Sequence, residues 1–175
     1  MATLAVAGFF RDPERNVPSD EEVVVSPADG KVVSIADVRH GSRFPNTATR
    51  VSIFLSPLDV HINRLPVGGQ VDEVRYRPGR FLAAYKEIAS ERNEQNALKI
   101  VDGRGRSFGV VQIAGAVARR IVCWVRPGDR LERGERFGLI MFGSRTDLYL
   151  PDGCRVEVEE GQRVRGGETI LGRFV

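Results

Sequence analysis

The feature that most constrains this chain is an internal repeat. Residues 125–137 and 158–170 share the pattern V-x-x-G-x-x-[LV]-x-x-G-E-x-apolar, with Gly128 and Gly134 in one copy and Gly161 and Gly167 in the other. Glycines fixed at turn positions between short apolar runs specify hairpin units, and two such units bury their apolar faces only by packing together. Much of the remaining chain reads the same way. Glu22 to Ser26 and Lys31 to Asp37 are β-branched runs joined by Pro27-Ala28-Asp29-Gly30, which predicts a hairpin. Arg50 to Leu55 and Gly69 to Arg77 alternate apolar and polar residues, and further strands are expected over 97–101, 107–113 and 120–125. One helix is predicted over 80–90, where Phe81, Leu82, Tyr85, Ile88 and Ala89 form an apolar stripe.

The expected fold is therefore mainly β (α+β with a minor helix), a flattened β-barrel or sandwich within a single domain spanning residues 1–175. The repeat resembles the barrel-sandwich architecture of biotinyl and lipoyl carrier domains, which gives a rival function as a non-enzymatic carrier or binding module. Such carriers present a modifiable lysine on a hairpin tip between their halves. No lysine follows Lys99 here. What falls between the two repeats is Gly143-Ser144.

That dipeptide closes an apolar run, Phe137 to Phe142. Glycine leaves its carbonyl carbon sterically open and tolerates a strained backbone. A following serine hydroxyl can attack that carbonyl once a base takes its proton. The chain holds two histidines: His40 sits in a polar loop, and His61 lies in the run Ser56-Pro57-Leu58-Asp59-Val60-His61.

Composition narrows the partners. Only three of the 26 basic residues are lysines, which leaves 23 arginines against a net charge of +3. They are scattered without a basic block or interleaved aromatics, so nucleic-acid binding is not indicated. Guanidinium groups suit phosphate oxygens, which favours anionic headgroups. Cys123 and Cys154 lack CxxC spacing and nearby histidine, so no metal site is expected. No apolar stretch reaches the roughly 20 residues that span a bilayer. The apolar start, Met1 to Phe10, suits either a core strand or the end of a longer membrane anchor.

Taken in order, the motifs S-P-A-D-G-K-V (26–32), S-P-L-D-V-H (56–61), E-R-N-E (91–94), Q-I-A-G (112–115), A-R-R-I (118–121), G-E-R-F-G (134–138) and F-G-S-R (142–145) resemble the phosphatidylserine decarboxylase family. The likeness runs from about Phe9 to the C-terminus and is closest to the short form, whose cleavage motif reads FGS.

The resemblance implies a self-processing proenzyme. Ser144 attacks the Gly143 carbonyl to give an ester. Elimination and hydrolysis then leave residues 1–143 as one chain and 144–175 as another, with a pyruvoyl group (a bound pyruvate) at the new N-terminus. That carbonyl forms a Schiff base with the serine amine of phosphatidylserine, draws off the electrons released with CO2, and yields phosphatidylethanolamine. His61 is the candidate base and acid, with Asp29 orienting its ring, and Arg64 and Arg145 are candidates for substrate anions. Long-form members read His-x-x-His where this chain has His61 and Arg64. Either His61 takes over processing, or Asp29 and Arg64 organise it differently. Further implications are an anionic phospholipid substrate, a membrane surface, lasting association of the two cleaved chains, a homodimer, and a peripheral position on the cytoplasmic face of the membrane. An archaeal-type ether phosphatidylserine is an alternative substrate.

Overall fold

The computed structural model describes residues 11–84, 88–116, 120–141 and 143–174. Strands are numbered in chain order. The largest sheet runs β13 (Arg163–Val164), β2 (Gly30–Asp37), β3 (Thr47–Leu55), β11 (Ser144–Pro151), β7 (Ser107–Ile113), β6 (Gln95–Asp102), β5 (Gly69–Arg77) and β9 (Arg130–Leu131). Two three-stranded sheets accompany it. One is β1 (Val23–Val25), β14 (Ile170–Phe174) and β12 (Cys154–Val156); the other is β4 (Ile62–Arg64), β10 (Arg136–Ile140) and β8 (Ile121–Cys123). All the strand pairings in these sheets are antiparallel. The mainly β expectation holds, with open sheets in place of a closed barrel.

The large sheet reads as a palindrome about its central pair. Val110 of β7 stands opposite Leu148 of β11. On one side lie β11, β3, β2 and β13; on the other lie β7, β6, β5 and β9. The likeness extends to detail. Register slips between Val32 and Ser34 on one side and between Val71 and Glu73 on the other. Gly128 and Gly161 have φ of 98° and 94°, and Gly134 and Gly167 have 79° and 80°. Their N–H groups donate to matching carbonyls: Gly128 to Val71 and Gly161 to Val32, Gly134 to Leu65 and Gly167 to Ser26. The sequence repeat is thus one part of a larger internal duplication. One copy is continuous, from β4 to β10. The other is split into β1–β3 and β11–β14, with the first copy inserted between them.

Two expectations are corrected. The runs flanking Pro27–Gly30 do not form a hairpin, because β1 pairs with β14 while β2 pairs with β3 and β13. The β1 backbone is instead taken up by β14 and by Pro66, whose carbonyl accepts the Val25 N–H at 3.0 Å. The helix over 80–90 is also shorter. The described helix is α1 (Ala89–Arg92), and residues 85–87 lie outside the described residues. Asn93 explains the difference upstream: its side chain bonds both the N–H and the C=O of Leu82 (2.9 and 2.8 Å). That pins residues 80–82 in extended form beside 92–94 and overrides the apolar periodicity.

Between the sheets lies one main core, which includes Val51, Ile53, Leu55, Leu98, Ile100, Phe108, Phe137 and Leu148. The inward set of β3 is the one its alternation predicts.

Candidate active site

The duplication determines where the site forms. Inserting one copy into the other creates two joints, 55–62 and 140–144, and the ends of a compact insertion lie close together. Leu55 therefore pairs with Ser144, and the Ile140 N–H donates to the His61 carbonyl at 3.2 Å. His61 and Ser144 are remote in sequence, yet they stand on these adjoining joints.

Ser144 opens β11 and is fully buried. Its Oγ has no hydrogen-bond partner among the described residues. A buried hydroxyl left unsatisfied is costly, so its place in the fold calls for an explanation. Gly143, just before it, has φ of 59°, in the left-handed region that glycine alone enters without penalty. The predicted scissile bond thus joins a left-handed glycine to an unsatisfied serine. Phe142 of the cleavage motif lies outside the described residues.

His61 is 2% exposed at the end of a tight loop. That loop is closed by Asp59, whose N–H donates to the Ser56 carbonyl and whose Oδ2 accepts the Ser56 N–H at 2.8 Å. The His61 Nδ1 lies 2.8 Å from the Asp59 carbonyl oxygen. A carbonyl only accepts, so Nδ1 carries the proton of the neutral ring and Nε2 holds the basic lone pair. Burial pulls the imidazole below its ordinary value of 6.5, opposed by the bond to Asp59 and by the charges of Asp59 and Asp29. Hence the ring is neutral and basic at neutral pH.

Asp29 is close enough to act on His61 through its charge, but its carboxylate is held elsewhere. Oδ1 accepts the Gly166 N–H at 2.7 Å, and Oδ2 pairs with Arg15 at 3.0 Å. In this structure the Asp59 carbonyl contacts the imidazole, and Asp29 acts on the ring through its charge. The run S-P-L-D-V-H held the signal, since an Asp three residues after a Ser suits a closed turn.

Arg64 and Arg145 are both buried and engaged. Arg64 donates to the Gly134 carbonyl (3.0 Å), to Asp12 (2.9 Å) and to the Pro13 carbonyl (3.0 Å), bracing the segment that brings Arg15 to Asp29. Arg145 lies on the face of β11 opposite Ser144, as strand alternation requires. Its guanidinium binds Asp147 (2.6 Å) and Ser52 (2.7 Å), stitching β11 to β3. In this structure both guanidinium groups are held by internal contacts.

On the Ser144 face runs a buried chain of neutral groups that sequence reasoning missed. Asn63 donates to the Thr146 hydroxyl (3.1 Å), Gln112 donates to Asn63 (2.9 Å), and Asn96 donates to Gln112 (3.1 Å). Such amides look like ordinary polar strand residues until the strands are assembled.

Comparison with known proteins gives the family. The family model for phosphatidylserine decarboxylase matches residues 3–172. A phosphatidylserine decarboxylase proenzyme of Syntrophus aciditrophicus (strain SB) is 47% identical, over 99% of this chain and 81% of the relative. Another, of Gluconobacter oxydans (strain 621H), is 52% identical over 95% of this chain and 75% of the relative. With a family model matched over nearly the whole chain and proenzyme relatives at about half identity, the conclusion is plain: the chain belongs to the phosphatidylserine decarboxylase family of carboxy-lyases.

Proposed function

We propose that this chain cleaves itself between Gly143 and Ser144 and then decarboxylates phosphatidylserine to phosphatidylethanolamine. The observation that carries the reading is the buried Ser144 hydroxyl, without a hydrogen-bond partner among the described residues, directly after a glycine at φ 59°. His61 Nε2 takes the Ser144 proton as Oγ adds to the Gly143 carbonyl carbon. The C–N bond breaks, the nitrogen takes up a proton, and an ester remains. Loss of the Ser144 α-proton then breaks the Cβ–Oγ bond, Gly143 departs as a carboxylate carrying that oxygen, and water displaces the remaining nitrogen as ammonia to leave the pyruvoyl group. The site fits that group, since a planar carbonyl replaces a hydroxyl that has no bond to lose. Once formed, it supplies an electrophilic carbonyl that takes up the substrate amine and drains electrons from the α-carbon as CO2 leaves. His61 is then placed to return a proton to that carbon.

The two products, 1–143 and 144–175, stay together, the enzyme acts as a homodimer, and it sits peripherally on the cytoplasmic face of the membrane. Support for a membrane surface comes from exposed apolar side chains. Leu58 is 83% exposed on the very loop that carries His61, and Phe81, Ile88 and Trp124 are also exposed.

Intact-mass measurement of the purified protein tests the core of the proposal. Two chains divided at 143/144, the smaller with a blocked N-terminus, are expected, and Ser144→Ala should leave one uncut chain. A wild-type chain that remains whole under assay conditions would reject the proposal. Assays with defined diacyl and ether forms of phosphatidylserine then identify the lipid.

A further inference from the structure

The motifs E-R-N-E and Q-I-A-G have no role in the mechanism above, yet the fold brings them together against the scissile bond. A Cβ built on Gly115 would lie 1.8 Å from the Gly143 carbonyl oxygen and 3.0 Å from its carbon. No side chain fits there. The bare Cα of Gly115 thus forms the surface on which the scissile carbonyl rests, a close approach of the kind that recurs as Cα–H···O contact.

Gly115 is itself held from the E-R-N-E side. The Asn93 amide donates to the Ala114 carbonyl at 2.6 Å, and the Ala114 N–H donates to the Glu94 carbonyl at 2.9 Å. The same Asn93 side chain bonds both backbone groups of Leu82. Asn93 is wholly buried, and its bond to Ala114 is buried with it, while those to Leu82 are part-buried. One amide therefore ties three segments together just before Gly115.

We propose that Asn93 and Gly115 are positioning residues for self-cleavage: Asn93 fixes the end of β7, and Gly115 seats the Gly143 carbonyl so that its carbon is presented to Ser144. Neither group exchanges a proton. Their contribution is orientation, which governs whether Oγ can form its bond to carbon as the Gly143–Ser144 amide breaks. This inference rests on self-cleavage at 143/144, and its test separates the two.

The test is a mass-spectrometric time course of cleavage in the full chain, from pH 5 to 8, for wild type, Gly115→Ala and Asn93→Asp. Aspartate keeps the size and the acceptor of Asn93 but loses the donors to Leu82 and Ala114. Gly115→Ala should slow cleavage by about 100-fold, the scale of an ångström-sized misplacement, and Asn93→Asp by about tenfold. The pH midpoint of the remaining cleavage in Gly115→Ala should stay at the wild-type value, because that substitution leaves His61 untouched and adds no charge. Neutral hydroxylamine, which cuts an ester but not an amide, should release no extra fragment from Gly115→Ala, placing the block before ester formation.

Folding is checked in uncleavable Ser144→Ala chains carrying each second substitution. If the Gly115 variant melts far below its parent, Asn93→Asp alone decides. Cleavage of a folded Asn93→Asp chain at the wild-type rate would overturn the inference, as would a displaced pH midpoint in Gly115→Ala. Should wild type itself stay uncut, the self-cleavage reading fails; should wild type cut and both variants cut equally fast, only this inference does.

Discussion

At the scale of single residues, the site works by withholding contacts. Burial keeps His61 below the ordinary imidazole value, and the Asp59 carbonyl fixes which nitrogen is basic. In the proposed mechanism the free base takes the first proton, so the rate of self-cleavage should rise with pH and level off at a midpoint below 6.5. His61→Gln should slow cleavage by roughly 100-fold or more, as loss of a general base does. Asp29 separates two mechanisms. Its negative charge raises the His61 value, so Asp29→Asn should move the midpoint to still lower pH while cleavage persists. Abolition of cleavage by Asp29→Asn would instead mean that the carboxylate itself holds the ring.

At the scale of elements, two glycines show how strands are fitted together. Gly30 has φ of 152°, and a Cβ there would lie 2.2 Å from the Phe54 carbonyl oxygen on β3. By contrast, Gly41 has open space around it. Gly30→Ala should lower the melting temperature well beyond Gly41→Ala, measured side by side in the Ser144→Ala background. In the core, Ile53→Ala removes a fully buried side chain from β3 and should cost about 2–5 kcal/mol in denaturant titrations. The strands themselves were legible because their apolar alternation is local: β5 and β7 match the predicted spans. Pairing was not legible. Nothing within residues 22–37 says that β1 leaves β2 for β14, since that choice depends on a strand at the far end of the chain.

For the whole molecule, internal duplication explains where the candidate site lies and why the proposed cleavage should leave it intact. Residues 144–174 supply β11, the strand between β3 and β7, and also β12, β13 and β14. Cutting before Ser144 leaves every one of these pairings in place, so the two chains should run as one species in size-exclusion chromatography and part only in denaturant. Separation in native buffer would contradict this. A membrane surface belongs to the same scale: Leu58→Asp and Phe81→Asp should each reduce co-sedimentation with phosphatidylserine vesicles while leaving self-cleavage intact. Unchanged binding in both would remove the membrane proposal.

Sequence alone determined the strand content and the family and singled out the dipeptide proposed for cleavage, because each is written in local pattern: alternation, motif order, and a glycine before a serine. The repeat at 125–137 and 158–170 was legible too, since turn glycines are local requirements. Its larger meaning was not. That β4–β10 form one copy inserted into the other emerges only from strand pairing, and pairing is set by which apolar faces bury together across long separations. Tertiary structure likewise decided that the Asp59 carbonyl holds the imidazole, that Arg145 turns away from Ser144, and that Gly115 lies under the scissile carbonyl. Each of these is a contact between segments whose distance in space no local pattern encodes.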